Sequence, residues 1–128
     1  MKLRMRGNAL RLRLLRDEVD ALAKGARIVE TVAFGPSPAP CFEYAIKSES
    51  TRAAVHATFN GHCVEVVVPM AIAQQWAGSE QVGIECRQPC AEGQLLEILI
   101  EKDFACLEPR EDDEDNGTFA NPKRAMPS

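Results

Sequence analysis

The sequence predicts an α+β fold in which about eight mostly antiparallel strands and two helices form a duplicated ββαββ unit. Two observations favour this class. Apolar and polar residues alternate with a period of two in several short segments, and two stretches between them have helical periodicity. The same order of elements also occurs twice, about 54 residues apart. We expect the helices to cover one face or the ends of the sheet, and closure into a full or partial barrel would remove its exposed edges.

The first copy of the unit opens with a predicted hairpin. Residues 2–6 and 9–14 alternate on either side of Gly7-Asn8, a dipeptide typical of two-residue turns. One bent strand with a bulge at Gly7 is the alternative interpretation. Residues 16–24 then have a helical pattern, which Gly25 ends.

The second copy has the same order, and its first hairpin turns at Asn60-Gly61, the strongest hairpin signal in the chain. With a two-residue loop there, Ala57 faces Val64 and His56 faces Glu65 on the opposite side of the strand. The remaining predicted elements are strands at 27–34 and 41–47 in the first copy and, in the second, strands at 53–59 and 62–68, a helix ending near 77, and strands at 81–88 and 94–102.

The two copies share a pattern of residue types more than their identities. The aligned apolar positions are Phe42, Tyr44 and Ile46 with Leu96, Ile98 and Ile100. The copies differ in charge on one strand, because Arg11 and Arg13 stand where Glu65 and Val67 stand in the second copy. Features that both copies share most simply serve the fold, so this difference is where function is to be sought.

The chain is long enough for one domain with one core, and residues 1–107 are predicted to form it. Residues 108–128 are predicted to form an acidic, proline-containing tail that is solvated and docked at most in part, because they offer little apolar surface to bury. The run from 111 to 115 is entirely acidic, and Phe119 is the tail's one plausible anchor.

Composition excludes several classes of function. The net charge is -4 and the pI is about 5.2, so the broad basic surface of a nucleic-acid-binding protein is lacking. Arginines interrupt every apolar run near the start of the chain, and neither a signal peptide nor a membrane-spanning segment is expected. The five cysteines are an odd number in strand-like sequence, which favours reduced thiols and a cytoplasmic location.

The candidate binding site is a row of basic side chains on the first two strands. If Gly7-Asn8 closes a hairpin, Arg4 lies opposite Arg11 and Lys2 lies opposite Arg13. Like charges in direct opposition cost about 0.2–1 kcal/mol per pair, so an anion between them would be stabilising.

The candidate occupants are a phosphate-bearing or carboxylate ligand, an acidic protein partner, or the chain's own tail. The alternative is a solvated face whose long arginine stems shield the sheet. The predicted anion-binding residues are Lys2, Arg4, Arg6, Arg11 and Arg13.

Other arrangements of chemically active residues are weaker. Cys86 and Cys90, with His62-Cys63, have only one loose pair of the kind that zinc sites use, so no metal or other cofactor is expected. His56 and Glu65 could act as a base and its orienting carboxylate, but an exposed ion pair is the simpler interpretation. No phosphate-binding glycine loop, dinucleotide fingerprint or Ser-His-Asp arrangement is present in the sequence.

Several segments resemble an uncharacterised family of small bacterial proteins, known as a domain of unknown function. The segments that carry this resemblance are residues 1–8 (MKLRMRGN), 11–14 (RLRL), 18–19 (EV), 44–45 (YA), 82–83 (VG), 101–106 (EKDFAC) and 121–122 (NP). The resemblance covers residues 1–122 and implies no activity. It implies that residues 101–106 and the tail around 119–122 belong to the domain. Leu15 stands where family members are expected to have Thr, which removes a helix N-cap.

The predicted topology also resembles the triphosphate tunnel barrels of the CYTH superfamily, in which charged side chains fill a channel and grip a polyphosphate. Those enzymes carry a Glu-x-Glu-x-Lys run on the first strand, whereas here the row reads Lys2, Arg4, Arg6.

Three hypotheses of function follow. The first is a non-enzymatic binding or interaction module that holds an anion or an acidic segment on the basic row. The alternative is a phosphate-ester or polyphosphate hydrolase in which Glu101 or Asp103 supplies a base or holds a metal. Self-association into a homodimer through an open sheet edge is compatible with both.

Overall fold

Two four-stranded sheets form the framework of the protein. The computed structural model describes residues 1–36, 41–50 and 54–104. Its elements are β1 (Lys2–Arg6), β2 (Ala9–Leu14), α1 (Arg16–Ala23), β3 (Ile28–Ala33), β4 (Cys41–Glu49), β5 (His56–Phe59), β6 (Cys63–Pro69), α2 (Met70–Ala77), β7 (Gly83–Pro89) and β8 (Leu95–Lys102). The predicted α+β class and the predicted order of elements are thus found in the described residues.

Each sheet combines one strand pair from the first half of the chain with one strand pair from the second half. Sheet A has the strand order β1-β2-β8-β7, and sheet B has the order β3-β4-β6-β5. The central pairs, β2 with β8 and β4 with β6, are parallel, whereas the outer pairs are antiparallel. Both sheets are therefore mixed. Exchanging β1–β4 with β5–β8 converts one strand order into the other, although duplication of the sequence itself stays a prediction.

Closure into a full barrel, which the sequence analysis considered, does not occur in the described part of the chain. Sheet A ends at β1 and β7, and sheet B ends at β3 and β5. Where β5 and β7 come close, a side chain replaces the backbone ladder: Gln88 donates from Nε2 to the Ala57 carbonyl at 2.9 Å, and its Oε1 accepts from the Ala57 amide at 2.7 Å. The Gln88 side chain thus satisfies the backbone N–H and C=O groups of one residue on edge strand β5, but β5 and β7 form no backbone ladder that would make the two sheets continuous. The tunnel that the CYTH resemblance implies is thus not formed by these strands.

The first hairpin has the predicted register. Lys2 pairs with Arg13 and Arg4 pairs with Arg11. Gly7 has φ 57°, a left-handed conformation that two-residue hairpin turns require and that glycine adopts without strain. The alternative of one bent strand is therefore wrong.

The second hairpin turns one residue later than predicted. Ala57 pairs with Val66 rather than Val64, and His56 pairs with Val67 rather than Glu65. The side chain of Asn60 explains the shift, because its Oδ1 accepts from the backbone amides of residues 62 and 63 at 3.0 and 2.8 Å. Asn60 therefore ends the strand, and the turn moves onto the next two residues.

The core lies between the sheets and under the helices. Leu12, Leu14 and Ile100 of sheet A and Ile46 and Val66 of sheet B are almost fully buried. The two helices pack on each other and on β4 and β6, which closes one end of this core. Their buried residues are Val19 and Leu22 of α1 and Ala73 and Trp76 of α2. No helix in the described residues has the length and apolar character needed to cross a membrane.

The predicted tail falls outside the described residues. The boundary at residue 107, the acidic run and Phe119 all lie beyond residue 104, where the described part of the chain stops. The division into a domain at 1–107 and a tail at 108–128 therefore stays a prediction.

Candidate functional site

The predicted basic row lies together on the outer face of sheet A. Alternation along β2 buries Leu10, Leu12 and Leu14, so Arg11 and Arg13 point away from the core. Their pairing partners on β1 share this face, and so does Arg6. The structure therefore brings all five predicted residues onto one surface: Lys2, Arg4, Arg6, Arg11 and Arg13.

Carboxylates of β8 and the residue after it neutralise one end of this row. Glu101 Oε1 accepts from Arg11 Nε at 2.5 Å and lies 3.5 Å from Arg13 Nε. Lys2 Nζ lies 3.7 Å from Asp103 Oδ2. The hydrogen bond and the charge of Arg11, and then the charge of Arg13, lower the pKa of Glu101 below its usual value. This end is an ion-pair cluster that holds β2 against β8.

The other end of the row opens into a groove, which we call the basic groove. Its volume is about 730 Å³. Four arginines and two glutamates supply its charged lining, so positive charge is in excess: Arg4, Arg6, Arg11 and Arg87 with Glu85 and Glu97. Arg87 Nε lies 3.7 Å from Glu97 Oε1. Arg6 is exposed and makes no ion pair with any residue of the described segments.

Sequence reasoning missed the residues that β7 and β8 contribute to the basic groove. Arg87 pairs with Glu97 and Glu85 pairs with Leu99, and β8 in turn pairs in parallel with β2. Only this parallel pairing places them beside Arg11. A contact between strands that are distant in the chain leaves no local signal in the sequence. The alternation of charged and apolar residues on β7 could, however, have indicated that Glu85 and Arg87 face outward.

A second, apolar pocket of about 280 Å³ opens between the sheets, on the side of β1 that faces away from the basic groove. Met5 and Phe59 stand at this pocket and remain 57% and 62% exposed, so two large apolar side chains lie together at its mouth. The residues that line the pocket include Met5, Leu10, Phe42, Phe59, Val64 and Leu96. We call it the apolar pocket; the sequence patterns did not indicate it.

The outer face of sheet B carries a different network. Glu65 accepts from Arg27 Nε at 2.8 Å and lies 3.5 Å from Lys47 Nζ, which is also 3.0 Å from Glu49. The hydrogen bond from Arg27, and then the charge of Lys47, lower the pKa of Glu65. Burial raises the pKa of the neighbouring Cys63 thiol, which disfavours the nucleophilic thiolate form.

The weaker candidate sites are not assembled as predicted. His56 lies opposite Val67, and Glu65 is engaged by Arg27 and Lys47, so the expected cross-strand pair of His56 with Glu65 is wrong. In the described ranges no group of three or more His, Cys, Asp or Glu side chains could hold a metal ion. The four cysteines within those ranges are free: Cys41, Cys63, Cys86 and Cys90.

Comparison with known proteins now decides the family. The model of a family of unknown function, DUF7009, matches residues 1–123. The chain belongs to this family. The resemblance to an uncharacterised family, which the sequence motifs predicted over residues 1–122, is thereby confirmed. No curated protein and no solved structure matches the chain. Membership of DUF7009 assigns no activity.

Proposed function

We propose that the protein is a binding module that holds an anionic ligand in the basic groove. The observation that carries this proposal is that Arg4, Arg6 and Arg11 line one groove of about 730 Å³ on a single sheet face. Arg4 and Arg11 are also direct pairing partners, an opposition of like charges to which Glu101 already supplies one counter-charge through Arg11. A bound anion would add a further counter-charge beside these cations.

The contacts of the predicted row support a division into two parts with different roles. Lys2 and Arg13 face Asp103 and Glu101, so we assign them chiefly to the ion-pair cluster. Arg4, Arg6, Arg11 and Arg87 line the basic groove. Arg11 belongs to both parts of the row, because it also donates to Glu101. Guanidinium groups bind phosphate and carboxylate through paired N–H donors, so a ligand with several such groups fits this lining best. The free cysteines are consistent with action in a reducing compartment such as the cytoplasm.

Binding of inorganic tripolyphosphate and of citrate tests the proposal and separates phosphate from carboxylate ligands. Both are titrated by calorimetry and by thermal shift at about 10 mM salt, where charges act over about 30 Å. We expect at least one of them to raise the Tm by several degrees, and the rise to shrink at physiological salt because exposed charges are then screened.

Two variants locate the site. Arg6→Gln should weaken binding roughly two- to fivefold, since an exposed ion pair contributes up to about 1 kcal/mol. Arg16→Gln removes an equal charge from α1, outside the groove lining, and serves as the matched control. Absence of stabilisation by either anion, or equal binding by the two variants, would refute the proposal.

Hydrolysis of a phosphate ester or polyphosphate is a second candidate, which one observation favours. Glu85 and Glu97 line the same groove as the arginines, so carboxylates and cations surround one space. Glu101 and Asp103, which the sequence suggested for this role, are instead engaged by Arg11 and Lys2. Phosphate release from tripolyphosphate in the presence of Mg²⁺ tests this candidate; loss of release in Glu97→Gln with binding retained would support it, and no release by the unsubstituted protein would remove it.

A further inference from the structure

We propose that the chain's own segment 111–119 is a competing occupant of this surface: its acidic run binds the basic groove while Phe119 enters the apolar pocket. The inference rests on the proposed anion site and adds a way in which ligand binding at that site would be regulated. Ligand and tail would compete for the same arginines. Two independent features of the described residues point to this occupant, one electrostatic and one apolar.

The electrostatic feature is charge complementarity. The segment contains five consecutive carboxylates, Glu111 to Asp115, and the basic groove has four arginines against two glutamates. Carboxylates accept the paired N–H donors of guanidinium groups in good geometry. The groove is therefore matched in sign and in chemistry by the most acidic run of the same chain.

The apolar feature is the pocket on the other side of β1. Its mouth has Met5 and Phe59 more than half exposed. Phe119 follows the acidic run by four residues and is the one aromatic residue after Phe104. Burial of an aromatic side chain contributes roughly 25 cal/mol per Å² of apolar surface removed from water, so the pocket and Phe119 suit each other.

The point at which the described chain stops makes both contacts reachable. The Asp103 amide donates to the Leu14 carbonyl at 2.9 Å, and Lys2 lies beside the Asp103 carboxylate, so the chain departs from the ion-pair end of the basic row. From there the row extends along β1 to Arg6 over roughly 13 Å, at about 3.3 Å per residue. The seven residues from 105 to 111 span up to about 25 Å when extended, which is more than enough.

The order along the chain also agrees with the order on the surface. The acidic run comes first and would meet the arginines of β1, and Phe119 comes later and would meet the pocket behind the same strand. Four residues span up to about 14 Å, and the outer and inner faces of one sheet are separated by less than the roughly 10 Å between packed sheets. β1 is an edge strand of sheet A, so a segment can pass around it without crossing another strand.

The experiment uses the full-length chain and reads the two contacts separately by NMR. One variant neutralises the run (Glu111→Gln, Asp112→Asn, Asp113→Asn, Glu114→Gln, Asp115→Asn), and a second is Phe119→Ala. We expect the first to shift the Nε–H signal of Arg6, and the second to shift the methyl signal of Met5. The methyl signal of Met70, on α2, is the internal reference and should stay in place in both.

A binding titration adds the functional consequence. Both variants should bind tripolyphosphate more tightly than the unsubstituted chain, the neutralised run by roughly threefold or more, because a tethered competitor acts at a high effective concentration. A control variant, Lys123→Gln with Arg124→Gln, changes tail charge outside the proposed contacts and should leave both NMR signals unchanged.

The outcomes separate this inference from the proposed function. If neither the Arg6 nor the Met5 signal moves, tail docking is overturned even where tripolyphosphate binds. If the Arg6 signal moves and Met5 does not respond to Phe119→Ala, the apolar contact is overturned. If both signals move but no variant binds an anion, the tail occupies the surface and the proposed ligand function fails.

Discussion

The outer faces of the two sheets occupy corresponding places in the strand order, yet they carry opposite charges at corresponding positions. On sheet A the cation is on β2 and the anion on β8, with Arg11 bonded to Glu101. On sheet B the anion is on β6 and the cation on β4, with Glu65 beside Lys47. Arg11 and Glu65 are 54 residues apart, as are Lys47 and Glu101. Each central parallel pair thus has an ion pair across it, and its direction is reversed.

The reversal indicates that a complementary pair of charges can lie across the central strands with either sign on either strand. What sheet A has in addition is the charge on its edge strand. Arg4 pairs with Arg11 on sheet A, whereas Thr58 pairs with Glu65 on sheet B. The cations of β1 therefore exceed what the shared architecture requires. That excess is why we place function on this face.

The largest expected effect concerns the inner faces, where the sheets should behave alike. Ile46 of sheet B and Ile100 of sheet A are both fully buried and lie 54 residues apart. Replacing either by Ala should lower the free energy of unfolding by about 2–5 kcal/mol, because lost burial and the cavity left behind both destabilise the fold. Urea unfolding followed by circular dichroism measures both variants.

The control for this pair is Leu95→Ala, which truncates a side chain that is already 48% exposed and should cost clearly less. A cost below about 1 kcal/mol for one isoleucine variant, with the full effect for the other, would show that the two inner faces are not equivalent supports of the core.

The difference between local and distant pairing also decides how much of the fold the sequence could predict. Alternation of Leu and Arg on β2 indicates which side is buried whatever the neighbouring strand is, and Gly7-Asn8 determines the register of the first hairpin. Both predictions are confirmed. The parallel pairing of β2 with β8 depends on contacts between residues about 88 apart, such as Arg13 and Glu101, which leave no pattern in either strand.

The residues of the candidate site also divide into those placed by local pairing, which the sequence predicts, and those placed by distant pairing, which it does not. Arg4 and Arg11 were predicted to face each other because one turn controls their register. Arg87 was missed because it reaches the groove only through two successive strand pairings. The second hairpin shows that a local signal can also mislead, since the side chain of Asn60 bonds the following amides and moves the turn by one residue.

A smaller effect is expected where the two helices begin. Leu15, the N-cap of α1, is extended and 54% exposed, and its amide already donates to Glu18 Oε1 at 2.8 Å. Half of a capping box is therefore in place without a side chain to complete it. In Leu15→Thr the hydroxyl oxygen should accept from the backbone amide of Glu18, the third helical residue, and raise the free energy of unfolding by about 1 kcal/mol. The corresponding N-cap of α2 is Pro69, which has no side-chain acceptor.

Thermal and urea unfolding test this prediction, with Leu15→Ala as the control that removes the same apolar side chain and adds no acceptor. We expect the Thr variant to be the more stable of the two by about 1 kcal/mol. Equal stability of the two variants would mean that the first turn of α1 gains nothing from a side-chain cap.

The smallest effect concerns the reversed ion pairs and depends on pH. The pKa of Glu101 is lowered chiefly by Arg11, and the pKa of Glu65 chiefly by Arg27. A carboxyl group whose pKa is lower in the folded state stabilises the fold above its unfolded pKa, and this contribution disappears as the pH falls through the folded value. Glu101→Gln and Glu65→Gln should each lower the free energy of unfolding at pH 7 by about 0.2–1 kcal/mol, and by less at pH 3.

Unfolding free energies at pH 7 and pH 3 measure the two variants side by side. Glu80→Gln is the control, because Glu80 is exposed and makes no ion pair with a described residue. If the fold needs a complementary pair on both sheets, the two variants should lose stability alike at pH 7 and converge on the unsubstituted protein in acid. A pH-dependent loss on sheet B alone would mean that Glu101 contributes little to stability, and the whole basic row, including the ion-pair end that we assign to the fold, would then be available to a ligand.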